Sequence, residues 1–128
     1  MSDIAEVQAA VHANAIAKKF WAAYPETTYE DPDTGESVRV YVLSVDQVLS
    51  KLMLITTEVA EAAEDVRTGA MRTVMSDSGK PEGLPSELAD IVIRVMDVCG
   101  GLGIDLDEEI RIKVAYNRRR PAMHNKLA

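Results

Sequence analysis

Four carboxylates raise the question of chemistry in this 128-residue chain: Glu58 and Glu61, then Glu87 and Asp90. Each pair is three residues apart, the spacing that sets two side chains on one face of a helix. Glu58 and Glu61, with Asp65 extending the strip, read as lying opposite an apolar stripe. Alone they describe no more than a solvated acidic face. Glu87 and Asp90 differ, because Arg94 and Asp97 continue them as one narrow charged stripe along an otherwise apolar segment. Burying carboxylates beside apolar neighbours costs several kcal/mol each unless a partner compensates. Arg94 can compensate Asp97 or Asp90 from one turn away, which leaves Glu87 and the first pair unanswered. If the two helices pack antiparallel, the four acids converge, and a divalent cation is the simplest remedy. All-oxygen ligation selects a hard ion, so Mg²⁺ is expected and Mn²⁺ is its substitute. Zinc is disfavoured, because neither His nor Cys joins the cluster. Mg²⁺ held by carboxylates engages substrate phosphates, which points to phosphate-ester or anhydride chemistry.

A second constellation follows. Lys113, Asn117 and Arg120 fall on one helical face, with cations to balance a polyphosphate and an amide to hydrogen-bond a phosphate or sugar oxygen. The basic run Arg118-Arg119-Arg120 also complements a helix dipole whatever the function.

The elements that must carry these residues are helical. A first helix, rich in Ala, is expected from about Asp3 to Ala23, with Pro25 marking its end. From Thr27 to Val42 the pattern changes: Asp31-Pro32-Asp33-Thr34-Gly35 is a turn cluster, and Val38, Val40 and Val42 alternate with Arg39 and Tyr41. A small hairpin or ordered loop fits there. Ser44 and Gln47 have capping-box spacing and open a second helix, which runs to about Thr68 with Gly69 as its stop. Its apolar residues (Val45, Val48, Leu49, Leu52, Ile55, Val59) recur at threes and fours, the mark of one buried face. Met75 to Pro85 reads as a loop. A third helix, from about Ser86 to Cys99 and ending in Gly100-Gly101, is apolar nearly all round and is expected at the centre. Asp105 with Glu108 opens a fourth helix that ends near Pro121. The tail Ala122–Ala128, with His124, is expected to be exposed or to dock on a neighbouring chain.

The length suits one domain over residues 1–128. Aromatics are only 5%, so aliphatic side chains must build the core, which suits helix packing. The net charge of −7 argues against binding a nucleic-acid polymer, which needs a basic face. A single cysteine, Cys99, excludes an intrachain disulfide and reads as a small buried hydrophobe. No apolar run is long enough for a membrane span and the N-terminus carries no signal-peptide pattern, so a cytoplasmic location is expected.

Glu58-Val59-Ala60-Glu61, then Glu87-Leu88-Ala89-Asp90, then Lys113-x-x-x-Asn117 resembles the MazG-like branch of the all-α nucleotide pyrophosphohydrolases. Gly83-Leu84-Pro85-Ser86 before the second acidic pair and Tyr116-Asn117-Arg118-Arg119-Arg120-Pro121 extend the resemblance, which covers roughly Val45 to His124. It implies an all-α, four-helix, MazG-like bundle completed by oligomerisation as a homodimer or homotetramer. It further implies hydrolysis of a ribo- or deoxyribonucleoside triphosphate to the monophosphate and pyrophosphate, with a metal-associated water attacking phosphorus. By position, Glu58, Glu61, Glu87 and Asp90 become Mg²⁺ ligands, and Glu58 or Glu61 the group that orients the water. Lys113, Asn117 and Arg120 become substrate contacts. Two departures stand out: Thr57 where some members carry a further Glu, and the insert before the second helix.

On the nucleobase side, the first helix carries His12 and Asn14, which could read a base edge, and Trp21, which could stack on one. A lone Trp at a helix end is equally a core or interface anchor. Two other functions fit the same residues: a nucleotide-binding sensor without turnover, and a silent helical interaction module that keeps its acidic face for solubility.

Overall fold

A computed structural model of the chain describes residues 3–121; the tail from Ala122 onward, including His124, lies outside the described residues. Four helices and two small antiparallel sheets make up the fold: α1 (Ile4–Ala17), β1 (Glu26–Glu30), β2 (Ser37–Tyr41), α2 (Val45–Thr68), β3 (Val74–Met75), β4 (Pro81–Glu82), α3 (Leu84–Leu102) and α4 (Leu106–Arg119). The chain is therefore mostly helical rather than strictly all-α. No helix among the described residues is long and apolar enough to cross a membrane.

The expected hairpin is present, pairing Glu26 with Tyr41 through Glu30 with Ser37. Asp31 caps its turn by accepting from the backbone N–H of Asp33 and Thr34. The stretch read as a loop after α2 also pairs briefly, Val74 with Glu82 and Met75 with Pro81.

Helix α2 begins and ends where its capping signals lie. Ser44 and Gln47 form a reciprocal capping box, and Gly69 ends the helix in the left-handed conformation at φ 81°. Asp105 caps α4 through the Glu108 N–H at 3.0 Å.

Two helix ends differ from expectation, and one residue explains both. Helix α1 stops at Ala17, well short of Ala23, and Lys19 takes a left-handed φ of 70°. That turn, costing about 1–2 kcal/mol for a non-glycine residue, swings Trp21 into the core, where it is only 1% exposed. Helix α3 runs through Gly100-Gly101 to Leu102 and caps at Gly103. A Cβ on Gly101 would collide with the Trp21 ring, and one on Gly100 would meet His12 at 2.6 Å. The two glycines are points of close approach for α1 and its following turn, not a stop signal.

Helix α3 lies at the centre as expected, packing against both α2 and α1 and touching β2 and β4. Met96 and Cys99 are buried on it, and burial pushes the Cys99 thiol pKa up. The core proper is Ala15, Trp21 and Tyr41, flanked by Ile16, Tyr24 and Leu43.

Only part of the apolar stripe suggested by the sequence faces inward on α2. Val45, Leu49, Leu52 and Val59 are 76, 52, 46 and 49% exposed, while Val48 and Ile55 turn in. The less exposed residues are Val48, Lys51, Ile55, Glu58, Ala62 and Asp65, at alternating steps of three and four. Periodicity finds the helix, but the inward face is rotated away from most of the stripe. Charged residues take the inner face because α3 supplies their partners.

Candidate metal and anion site

Residue pairs fix how α2 and α3 run. Lys51 feels the charge of Asp97, Glu58 bonds Arg94, and Asp65 and Glu87 line one pocket, so numbers rise on one helix as they fall on the other. The helices are antiparallel, and this brings the two acidic pairs together. Glu58, Glu61 and Glu87 each offer a carboxylate oxygen within 4.8 Å of the others. Asp90 lies outside that trio, yet its charge reaches Glu87 and it lines the adjoining cleft.

Burial makes the cluster electrostatically tense. Glu58 is 8% exposed. Burial alone would raise its pKa, but the Arg94 guanidinium, with hydrogen bonds shared with Glu87 and Glu61, outweighs burial and holds it low. Glu87 takes the opposite shift. Burial first, then its hydrogen bond to Glu58 and the charges of Glu61, Asp90 and Glu58, push it up to about 7. Its Oε2 is buried without a hydrogen-bond partner, as is Oδ2 of Asp65. The donor set fits a hard divalent cation: three convergent oxygens, one orphaned buried carboxylate atom and, among the described residues, no nitrogen or sulfur ligand.

Arg94 was expected to pair along its own helix with Asp97 or Asp90. It pairs instead across to α2, donating from Nε to Glu58 Oε1 at 2.8 Å. Asp97 is satisfied elsewhere: Trp21 Nε1 donates to its two oxygens at 2.9 and 3.1 Å, and His12 Nδ1 lies 2.8 Å from Oδ1.

Those bonds decide the nucleobase candidates. Trp21 stacks on Tyr41 with ring centroids 4.8 Å apart, and Lys51 Nζ sits 4.0 Å from its centroid. The indole is a core anchor with no face open to a ligand. His12 is tied to Asp97 and borders a separate small pocket with Gln8, Gly100 and Asp105. Asn14 alone of the three reaches the carboxylate cleft, a space of about 230 Å³ it lines with Phe20, Glu58, Asp90, Arg94 and others. Phe20, at 65% exposure, is the aromatic that borders this cleft, a position the sequence offered no signal for.

Lys113, Asn117 and Arg120 are all outside the residues that line the cleft. They cluster around Tyr116, whose ring centroid lies 5.8 Å from Lys113 Nζ and 5.7 Å from the Arg120 guanidinium, while Arg120 donates to Asn117 Oδ1 at 3.5 Å. Helix α4 carries no buried residue and packs on α1, with Leu106 and Ile110 also lining an apolar pocket against α3.

No protein-family model, no curated protein and no solved structure matches this chain. The functional reading therefore rests on the residues, their geometry and the resemblance of their motifs.

Proposed function

We propose that the chain is a Mg²⁺-dependent hydrolase that cleaves a nucleoside triphosphate between its α and β phosphates, releasing the monophosphate and pyrophosphate. The observation that carries this reading is the convergence of Glu58, Glu61 and Glu87 within 4.8 Å, with Glu58 on the wall of the cleft beside Asp90 and Arg94. Mg²⁺, or Mn²⁺ in its place, would supply the charge that draws the phosphates in and acidifies a water. The chain's own residues do the rest. Glu58, held by Arg94 and buried, is a positioned ligand, and Glu87 joins the set once it gives up its proton. Glu61, exposed to solvent on the same helical face, is the better placed of the first pair to orient an attacking water. Asp90 and Asn14 face the cleft where the nucleotide would lie.

A cleft of about 230 Å³ is smaller than the ~300–1,000 Å³ typical of small-molecule sites. A second copy of the chain would enlarge it and could bring Lys113, Asn117 and Arg120 to the triphosphate. The exposed apolar stripe on α2 supports pairing of this kind, since such surface on a soluble chain marks an interaction site.

The Glu58–Arg94 ion pair also favours a second reading, a nucleotide-binding sensor without turnover, because it already neutralises one acid of the cluster. Incubation with a panel of ribo- and deoxyribonucleoside triphosphates plus Mg²⁺ separates the two. Pyrophosphate release that is lost in Glu61→Gln supports the hydrolase. A nucleotide-dependent rise in Tm without pyrophosphate supports the sensor.

A further inference from the structure

We propose that Arg94 is the phosphate-holding residue of this cleft: its Nε stays on Glu58 while its two terminal amino groups receive a phosphate oxygen. The inference rests on the hydrolase reading and names how that site would hold its anion.

Glu58, Asp90 and Asp97 line the cleft, and among the described residues Arg94 is the one basic residue on its wall. A polyphosphate entering there meets net negative charge unless a cation answers it. The cations expected from the sequence, Lys113 and Arg120, sit around Tyr116 on α4. Arg94 is already in place. Its guanidinium is engaged only through Nε, and among the described residues its Nη groups donate to no acceptor. The side chain is 43% exposed, while its carboxylate partner is 11% exposed, so the ion pair spans the boundary between interior and cleft. A guanidinium presents donors in a rigid fork, and its terminal edge matches two phosphate oxygens while Nε is occupied. The tether to Glu58 also sets distance. An anion held on the Nη edge would lie beside Glu58, one of the three converging carboxylates, where a phosphate could share a cation with it.

Asp97 does not compete for the guanidinium, because Trp21 and His12 occupy its oxygens. Asp90, one turn before Arg94, makes no hydrogen bond to it and remains on the cleft wall.

The experiment uses the full chain and inorganic pyrophosphate as the probe. Pyrophosphate is titrated calorimetrically at saturating Mn²⁺ into the wild type, Arg94→Lys and Arg94→Ala, and Mn²⁺ alone is titrated into each. KM for the best triphosphate is measured in parallel. Arg94→Ala is expected to weaken pyrophosphate binding and raise KM by about tenfold or more, as for loss of a charge-assisted pair. Arg94→Lys, which keeps the charge without the fork, should recover only part of the loss. Arg94→Lys, which keeps a cation beside Glu58, should leave Mn²⁺ affinity without the anion within about threefold, well below the effect on the anion. Arg94→Ala also strips a proposed metal ligand of its partner, so Arg94→Lys decides the comparison. Unchanged pyrophosphate affinity and KM in both variants would overturn the inference. Loss of Mn²⁺ and pyrophosphate binding by the same factor in Arg94→Lys would overturn it too, leaving Arg94 a support for Glu58 only. Failure of the hydrolase reading is seen separately, as a wild type that binds no Mn²⁺ or releases no pyrophosphate.

Discussion

Arg94 and Glu58 meet across the α2–α3 interface, Nε to Oε1 at 2.8 Å, with the carboxylate nearly buried and the guanidinium open to the cleft. This contact explains how an acid can sit on the inner face of α2 at all. A buried carboxylate without a partner would be strongly destabilising or would take up a proton. Glu58 has its cation and its pKa is held low; Glu87, beside it without one, is pushed up to about 7.

That asymmetry predicts a pH dependence for the metal-free protein. Glu87 rises from 4.5 to about 7 on folding, so between those values the folded chain holds a proton the unfolded chain has released. Stability should fall as pH climbs through this window and level off above about 7. Thermal melts with chelator across the window should show that slope, and Glu87→Gln should flatten it. An unchanged slope in the variant would assign the effect to another group.

Metal binding should show the linked behaviour. A cation must displace the Glu87 proton, so Mn²⁺ affinity should tighten by up to about tenfold per pH unit below about 7, then plateau. Calorimetry at the acid end, in two buffers of different ionisation enthalpy, should report about one proton released per ion. Release of none would separate Glu87 from the ligand set.

Trp21 is expected to act through the fold. Trp21→Phe keeps most of the ring but leaves Asp97 without two of its hydrogen bonds, costing about 1–3 kcal/mol by chemical denaturation. Gly101→Ala forces a methyl into the Trp21 ring and should cost about as much. Neither should alter Mn²⁺ affinity in the folded protein. A selective loss of nucleotide binding with unchanged stability would instead make Trp21 a ligand contact.

The exposed stripe of α2 predicts self-association. Light scattering should give a mass at least twice the 14.0 kDa of one chain. Leu49→Glu combined with Val59→Glu should return it to a single chain, because both sites are about half exposed here and charge would be tolerated only without a partner. A wild type that is monomeric at all concentrations would remove this account of the stripe.

Local signals in the sequence located the fold well where the interaction is local. The Ser44–Gln47 box, the Gly69 stop, the Asp105 cap and the Asp31–Gly35 turn all lie where expected, since each depends on neighbours within a few residues. Long-range packing was not legible. The end of α1 is set by Trp21 reaching Asp97 across 76 positions, and Gly100-Gly101 read as a stop because nothing local reveals the ring above them. At the site, helical spacing with antiparallel packing led to the expectation that Glu58, Glu61, Glu87 and Asp90 converge; the first three do, and Asp90 stands outside the trio. The Arg94 partner was not legible because Glu58 lies 36 positions away on another helix. The seven-residue steps from Lys51 to Glu58 to Asp65 were the available hint that α2 turns a charged face inward.

Whether these carboxylates hold a cation for triphosphate cleavage is decided by the products released. Wild type and Glu61→Gln are incubated with Mg²⁺ and the triphosphate panel, and monophosphate, pyrophosphate and orthophosphate are separated by ion exchange. The account predicts equimolar monophosphate and pyrophosphate from at least one triphosphate, abolished by chelator and reduced at least about 100-fold in a Glu61→Gln that keeps its helical fold. Release of orthophosphate and diphosphate, turnover that survives chelation, or no product from any triphosphate would contradict it.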